Sequence, residues 1–165
     1  IAIIGIFGVV VMSFVTSGAN FYRQASDAST VQRSMQMTLD QIENLVIDTN
    51  KSISYSVGGQ ATQSDLGSQD SQEKILILES VQGENTQHKE ILKWNPDEKK
   101  LYCNYNSDRA TDMKVMAENI SAFSADISQA VSDGIVRFQI TIQKRDKEMT
   151  QTYTVTLRNQ LGADS

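Results

Sequence analysis

The hydrophobic and polar positions divide the chain near residue 22. Residues 1–22 carry no charge and consist mainly of Ile, Val, Phe, Ala and Gly. The most apolar part, residues 1–15, is shorter than the ~20 apolar residues that a helix needs to span a bilayer core. Since the chain starts on Ile-Ala-Ile-Ile with neither Met nor a basic flank, we expect further apolar residues before Ile1 in the natural protein, rather than a signal peptide. A buried core helix is the alternative interpretation.

An amphipathic helix is predicted directly after this segment. Apolar residues recur at spacings of four, four, three and four and so form one stripe: Val31, Met35, Leu39, Ile42 and Val46. The predicted opposite face is charged or polar and includes Arg23, Asp27, Arg33, Asp40, Gln41, Glu43, Asn44 and Asp48. The run Asp-Thr-Asn-Lys at 48–51 predicts the end of the helix. At ~1.5 Å per residue, a continuous helix over residues 1–50 would be roughly 75 Å long, which no compact domain of this size needs.

The rest of the chain is typical of short strands separated by turns. Strands are predicted at Ser52–Val57, at 74–79, and at 90–94 and 100–105, the last two on either side of an Asn-Pro-Asp-Glu turn. A second meander is predicted from alternating apolar residues in three segments, which are Phe123, Ala125 and Ile127, then Val136, Phe138, Ile140 and Ile142, then Tyr153, Val155 and Leu157. Residues 58–72 are rich in Gly, Ser, Gln and Asp and are predicted to form an exposed or mobile loop.

These elements predict an α+β fold. The amphipathic helix is expected to cover the dry face of one antiparallel sheet, whose other face is wet and rich in Thr and Gln. The chain is therefore predicted to have two parts. Residues 1–22 form an apolar helix segment, and residues 23–165 form a globular head made of the amphipathic helix and the sheet. The head is long enough for one domain with its own core but small for two.

Charge and residue inventory argue against several function classes. The formal net charge of -5 and the pI near 4.8 disfavour a broad nucleic-acid-binding surface, so no nucleic-acid partner is predicted. The clusters Lys99-Lys100 and Lys144-Arg145-Lys147 are interpreted as solvated turn residues.

Catalytic and metal chemistry lack the residues they need. His88 is the only histidine and no phosphate-binding glycine motif occurs, so we predict no enzyme activity, no catalytic residue, no cofactor and no metal site. Asp65, Asp70 and Glu73 match no calcium-binding loop spacing and are interpreted as solvated acids. The single Cys103 cannot form an intramolecular disulfide and is predicted to be a buried strand residue.

The N-terminal residues carry a family resemblance. The run Ile-Ala-Ile-Ile-Gly-Ile at 1–6 with Phe-Gly-Val-Val-Val at 7–11 resembles the middle of the N-terminal helix of type IV pilins and of type II secretion pseudopilins. The resemblance implies a long helix on an antiparallel sheet, and a subunit that moves from the cytoplasmic membrane into an extracellular filament of other pilin subunits. It also implies a prepilin peptidase and an assembly ATPase as partners. The family's N-methylated first residue and its Glu have no counterpart here, and the C-terminal disulfide loop of many Gram-negative pilins is absent.

The resemblance also assigns roles to positions in the helix. The residues that it implies pack in the filament or in the membrane are Ile1, Ile3, Ile4, Gly5, Ile6, Phe7, Gly8, Val9, Val10, Val11 and Phe14. The family's helix partly melts when subunits assemble, and the weak helix formers here mark two candidate segments, residues 5–8 and residues 16–20. The second contains Thr16, Ser17, Gly18 and Asn20. The family's helix-breaking Pro is absent, so a continuous helix is the competing prediction.

Three functions remain open at this point. The Leu-Asp-Gln-Ile-Glu-Asn-Leu stretch at 39–45 and the two-meander head look like the W-type minor pilins and the J-type pseudopilins, which prime or cap filaments. A major pilin is one alternative. The other is a membrane-anchored extracytoplasmic binding module, in which the wet face of the sheet or the loop over residues 58–72 recognises a ligand.

Overall fold

A computed structural model of the chain describes residues 2–68, 71–82, 86–104 and 112–162, with the side chains at 2–11, 82 and 86 left out of that description. It contains one long helix, α1, Ala2–Val46. The helix is continuous through both predicted melting segments and ends two residues before the predicted stop signal. Asn50 lies just beyond, and its side chain pairs with both backbone groups of Val81, accepting from the amide at 2.8 Å and donating to the carbonyl at 3.0 Å.

Six antiparallel strands form the larger sheet, in the order β2-β1-β3-β4-β5-β6. They are β1 Ser52–Val57, β2 Gln60–Thr62, β3 Lys74–Gln82, β4 Thr86–Asn95, β5 Lys100–Asn104 and β6 Lys114–Glu118. The sequence predicted β1, β3, β4 and β5. The prediction of an uninterrupted loop over 58–72 was wrong, because β2 pairs with β1 there. The edge strand β6 was not predicted, because it has no apolar alternation.

Three antiparallel strands form the smaller sheet, in the order β7-β8-β9. They are β7 Ile120–Asp126, β8 Ile135–Lys144 and β9 Lys147–Thr156, which confirms the predicted second meander. The prediction of a single sheet was wrong. Asn119 adopts a left-handed conformation, with φ 63, between β6 and β7, and this turn directs the chain from one sheet into the other.

One hydrophobic core joins the helix to both sheets. All five residues of the apolar stripe, from Val31 to Val46, are buried in this core with Phe123, Phe138, Leu76 and Trp94. The helix contacts β8 and β9 and the edge strand β6. The described chain is therefore an α+β fold in which one helix packs on antiparallel sheets.

Candidate assembly surface and polar groove

The first half of α1 leaves large apolar side chains in solvent. Every residue from 12 to 26 is exposed, and we call this stretch the exposed arm. Its large apolar residues are between 64% and 76% exposed: Met12, Phe14, Val15, Phe21 and Tyr22. Contiguous apolar surface of this kind marks interaction sites in soluble proteins. The exposed arm is thus the strongest candidate for an assembly surface.

The packing residues predicted nearer the N-terminus lie in the same helix. Ile3, Ile4, Gly5, Ile6, Phe7, Gly8, Val9, Val10 and Val11 have helical backbone, while their side chains and the whole of Ile1 fall outside the described part. Phe14 is the one predicted packing residue whose side chain is described, and it is exposed. Within residues 2–68, 71–82, 86–104 and 112–162, no helix combines the length and apolarity needed to cross a membrane.

The second predicted melting segment is helical in this structure. The Thr16 hydroxyl donates to the Met12 carbonyl four residues back, at 2.5 Å. A Cβ built on Gly18 would meet no other atom within 4 Å, so nothing in the described chain requires glycine there. Melting was predicted for an assembled filament, and it stays a prediction.

An ionic cluster marks the point where the exposed arm meets the head. Asp27 was predicted on the solvated face, and this was wrong: it lies four residues before Val31, in line with the apolar stripe, and is only 7% exposed. Arg145 donates to Asp27 Oδ2 at 2.8 Å, and Lys144 Nζ lies 3.4 Å from Oδ1. Lys144 and Arg145 were interpreted as solvated turn residues; they lie at the β8–β9 turn with 35% and 67% of their side chains exposed, and in addition they pair with Asp27. We call these three residues the arm joint.

The arm joint combines burial with charge compensation. Burial by itself would raise the pKa of Asp27, but the hydrogen bonds and positive charges of Lys144 and Arg145 outweigh it and lower that pKa. Lys144 is the last residue of β8, and Arg145 begins the turn to β9, where it has a left-handed backbone, φ 56. The four-residue spacing of Asp27 from Val31 is the sequence signal that indicates its burial. No local signal indicates its partners, since Arg145 lies 118 residues further along the chain.

Polar contacts also hold the C-terminal half of the helix. The Tyr153 hydroxyl donates to the Glu43 carboxylate, a hydrogen bond that raises the pKa of Tyr153. After the helix, the Arg158 amide donates to the Ile47 carbonyl at 3.0 Å, and its guanidinium lies 2.8 Å from Asp48 Oδ1. The packed half of α1 is thus held by both its apolar stripe and its polar flanks.

A second candidate site is a polar groove of about 620 Å³ on the head. Three regions contribute to it: the loop after β2, through residues such as Ser68 and Ser71; the turn between β4 and β5, through Asp97 and Lys99; and the outer face of the smaller sheet. The sheet contributes Gln139, Thr141, Glu148 and Thr150, and the Thr141 and Thr150 hydroxyls are 2.9 Å apart. The structure therefore brings together the two surfaces that the binding-module alternative invoked separately.

The acidic residues of the loop after β2 do not behave as one group. Asp65 was interpreted as solvated, and this was wrong, because its side chain is 9% exposed and contacts the buried Lys74. Glu73 lies 2.6 Å from Lys93 on the surface, and Asp70 falls outside the described residues. In the described chain no group of three or more His, Cys, Asp or Glu residues is placed to hold a metal ion. Cys103 is buried, as predicted.

No family model, no curated protein and no solved structure matches this chain.

Proposed function

We propose that the chain is a structural subunit of a type IV pilus or pseudopilus, most like a W-type or J-type minor pilin. In this proposal it starts in the cytoplasmic membrane with its head outside, and then enters an extracellular helical filament through its apolar N-terminal helix. The observation that carries the proposal is the exposed arm, a helix surface with large apolar side chains beyond a well-packed head and no charge before Arg23. A prepilin peptidase and an assembly ATPase would act on it, as they do in the family it resembles.

The physical argument is the cost of leaving the arm in water. Removing apolar surface from water is worth about 25 cal/mol per Å², and the head offers the exposed arm no cover. A bilayer supplies that cover before assembly, and a bundle of neighbouring subunit helices supplies it afterwards. Small residues such as Gly18 permit helices to approach closely in such a bundle.

The proposal is tested by placing charge on the exposed arm of the full-length gene product in its host. Phe14→Asp and Phe21→Asp are each expected to reduce the amount of the subunit in sheared surface filaments at least about tenfold, because a buried carboxylate in an apolar bundle is costly. Immunoblotting of sheared and membrane fractions measures the effect. The matched control is Val131→Asp, since Val131 is 73% exposed but lies on the head.

Wild-type incorporation of the two arm variants would reject the proposal, as would an equal defect in the Val131→Asp control. The ratio of this subunit to other pilins in the filaments decides between a minor and a major subunit.

The polar groove favours a second candidate function, a membrane-anchored extracytoplasmic binding module. In that case the helix serves as a stalk and the groove recognises a ligand. The same fractionation separates the two functions, because a binding module stays in the membrane fraction and is absent from sheared filaments. Gln139→Ala, in the lining of the groove, is expected to leave filament incorporation unchanged if the subunit function is correct.

A further inference from the structure

A buried lysine and a buried aspartate touch each other at the start of β3. The Lys74 side chain is 1% exposed and that of Asp65 is 9% exposed, and Lys74 Nζ contacts Asp65 Oδ2. Lysine is almost never fully buried unless it is paired. Burying such an ion pair is often no better than filling the same space with apolar groups. The site therefore calls for an explanation beyond stability.

The two oxygens of Asp65 have different surroundings. Oδ1 accepts hydrogen bonds from the Tyr55 hydroxyl at 2.8 Å and from the Ala125 amide at 2.9 Å. Oδ2 receives no well-directed hydrogen bond from any described residue, although Lys74 Nζ touches it. One oxygen is thus held by two donors, while the other faces the amine.

The surroundings of the pair are apolar and closed. Lys74 Nζ lies 5.5 Å from the centre of the Trp94 ring, and Trp94 pairs directly with Lys74 in the sheet. Tyr55, Leu76 and Trp94 are all buried around it. A site that excludes water favours a condensation that releases water over the reverse hydrolysis.

We propose that Lys74 and Asp65 form an intramolecular amide bond with the loss of one water. The Lys74 ammonium first gives a proton to Asp65 Oδ2, which leaves a neutral amine and a neutral carboxylic acid. Nζ then attacks Cγ, and the negative charge that develops on Oδ1 is stabilised by the Tyr55 hydroxyl and the Ala125 amide. The bond from Cγ to Oδ2 breaks as Oδ2 takes a second proton from the nitrogen and leaves as water. Ammonium plus carboxylate gives amide plus water, so no oxidant or other reactant is needed.

The bond would fasten the loop after β2 to the larger sheet. Ser64, next to Asp65, forms a bridge with Asp126 at the end of β7, so the same short segment also contacts the smaller sheet. A covalent link at this position ties together the region where the two sheets meet. The link depends on Lys74 and Asp65 of this chain and is independent of the filament proposal.

Intact mass spectrometry of the purified full chain tests the proposal. The expected mass is lower than the sequence mass by one water. Trypsin is expected to leave residues 52–89 as one peptide. Lys74 is the only Lys or Arg between Lys51 and Lys89, and the amide bond blocks its amine. Fragmentation of that peptide locates the link between Lys74 and Asp65. A full sequence mass with normal cleavage after Lys74 would overturn the proposal.

Variants separate this bond from other losses of water. Lys74→Arg and Asp65→Ala are expected to have their full sequence masses, and these masses can be read even if the variants fold poorly. Asp65→Asn is expected to lose ammonia in place of water. A cyclic imide at an aspartate also loses water, but hydroxylamine cleaves it and leaves Lys74 open to trypsin; that pattern would reject the amide.

Two further measurements link the reaction to the geometry. Tyr55→Phe removes one donor to Oδ1, and we expect it to slow bond formation after synthesis by about 10²-fold, seen as uncrosslinked chain at early times. The matched control is the Lys93–Glu73 pair, whose atoms are 2.6 Å apart but partly exposed. We expect no link there, and a link at both pairs would show that proximity alone is responsible.

Discussion

The two halves of α1 share one helix and an abundance of apolar residues, yet only one half belongs to the head. From Asp27 onward, each turn buries a residue against the sheets. In the exposed arm, apolar residues such as Met12, Phe14 and Val15 point to several sides of the helix, at about 100° per residue. A helix with one apolar stripe fits a sheet, whereas a helix that is apolar on several sides needs other helices or lipid around it. The arrangement of apolar residues, more than their number, therefore distinguishes the exposed arm from the half of the helix that packs in the core.

The largest expected contrast between the halves is in stability. Ile42→Ala is expected to lower the free energy of unfolding by about 2–5 kcal/mol, because it empties space in a packed core. Phe14→Ala removes an exposed side chain and is expected to change it by no more than about 0.5 kcal/mol. Urea unfolding of the full chain in mild detergent, followed by the fluorescence of the single, buried Trp94, measures both. Similar losses in the two variants would mean that the arm packs on its own head.

A smaller, local loss of stability at acidic pH is expected at the arm joint. The pKa of Asp27 is lowered in the folded chain from its ordinary value of 3.8. The contribution of its ion pairs is therefore present above that value and is lost as the pH falls through the lower folded-state pKa. We expect hydrogen-exchange protection of the helix around residues 23–31 to decrease over that acidic range. The decrease is expected to precede that of the buried core, because the joint lies at the edge of the head.

Asp27→Asn is the control for this pH dependence. It keeps the shape of the side chain and removes the charge, so protection around the joint is expected to be lower at neutral pH and to lose its acid-dependent step. Asp27 is the only carboxylate among the three residues of the arm joint, and its partners Lys144 and Arg145 are cations. An unchanged acidic step in Asp27→Asn would assign the effect to another carboxylate.

The smallest effect is expected in the arm itself. Gly18→Ala is expected to leave the unfolding of the head unchanged and to favour the local helix by up to ~1 kcal/mol, since the added methyl meets no other atom. Circular dichroism measures the helical content. Gly134→Ala is the matched control, because Gly134 has φ 66 and sits beside Leu157. Gly134→Ala is expected to lower the free energy of unfolding by about 1 kcal/mol. Equal effects of Gly18→Ala and Gly134→Ala on stability would contradict the expected difference between the arm and the head.

Local patterns in the sequence predicted most of the fold. The stripe from Val31 to Val46 indicated the packed helix because its period repeats over five positions. Alternation in β8 and the Pro-Asp turn before β5 indicated their strands. The strand β6 was missed because Lys-Val-Met-Ala-Glu has no alternation, and Val115 in it is 46% exposed. The chain passes from the larger to the smaller sheet at Asn119, which has a left-handed backbone, and the alternation of apolar residues does not indicate this change of sheet.

The candidate sites were less predictable than the fold. Most of the exposed arm could be predicted, because its residues 12–22 belong to the uncharged stretch of the sequence. The arm joint does not, because Asp27 has the residue type of a surface position and finds its cations only when the turn between β8 and β9 folds back on the helix. Asp65 and Lys74 are close in sequence, but their burial depends on Trp94 and Ala125 from distant strands. Charged residues are predicted poorly wherever their partners come from elsewhere in the chain.

Thr16 is a polar residue of the exposed arm, the surface that we propose passes from the membrane into a filament. Its hydroxyl already donates to the Met12 carbonyl within the same helix, so it needs no partner from water, from lipid or from another chain. A transfer of this turn out of water would leave no orphaned donor behind. The helix backbone itself supplies the hydrogen-bond acceptor that this hydroxyl needs, whatever surrounds the helix.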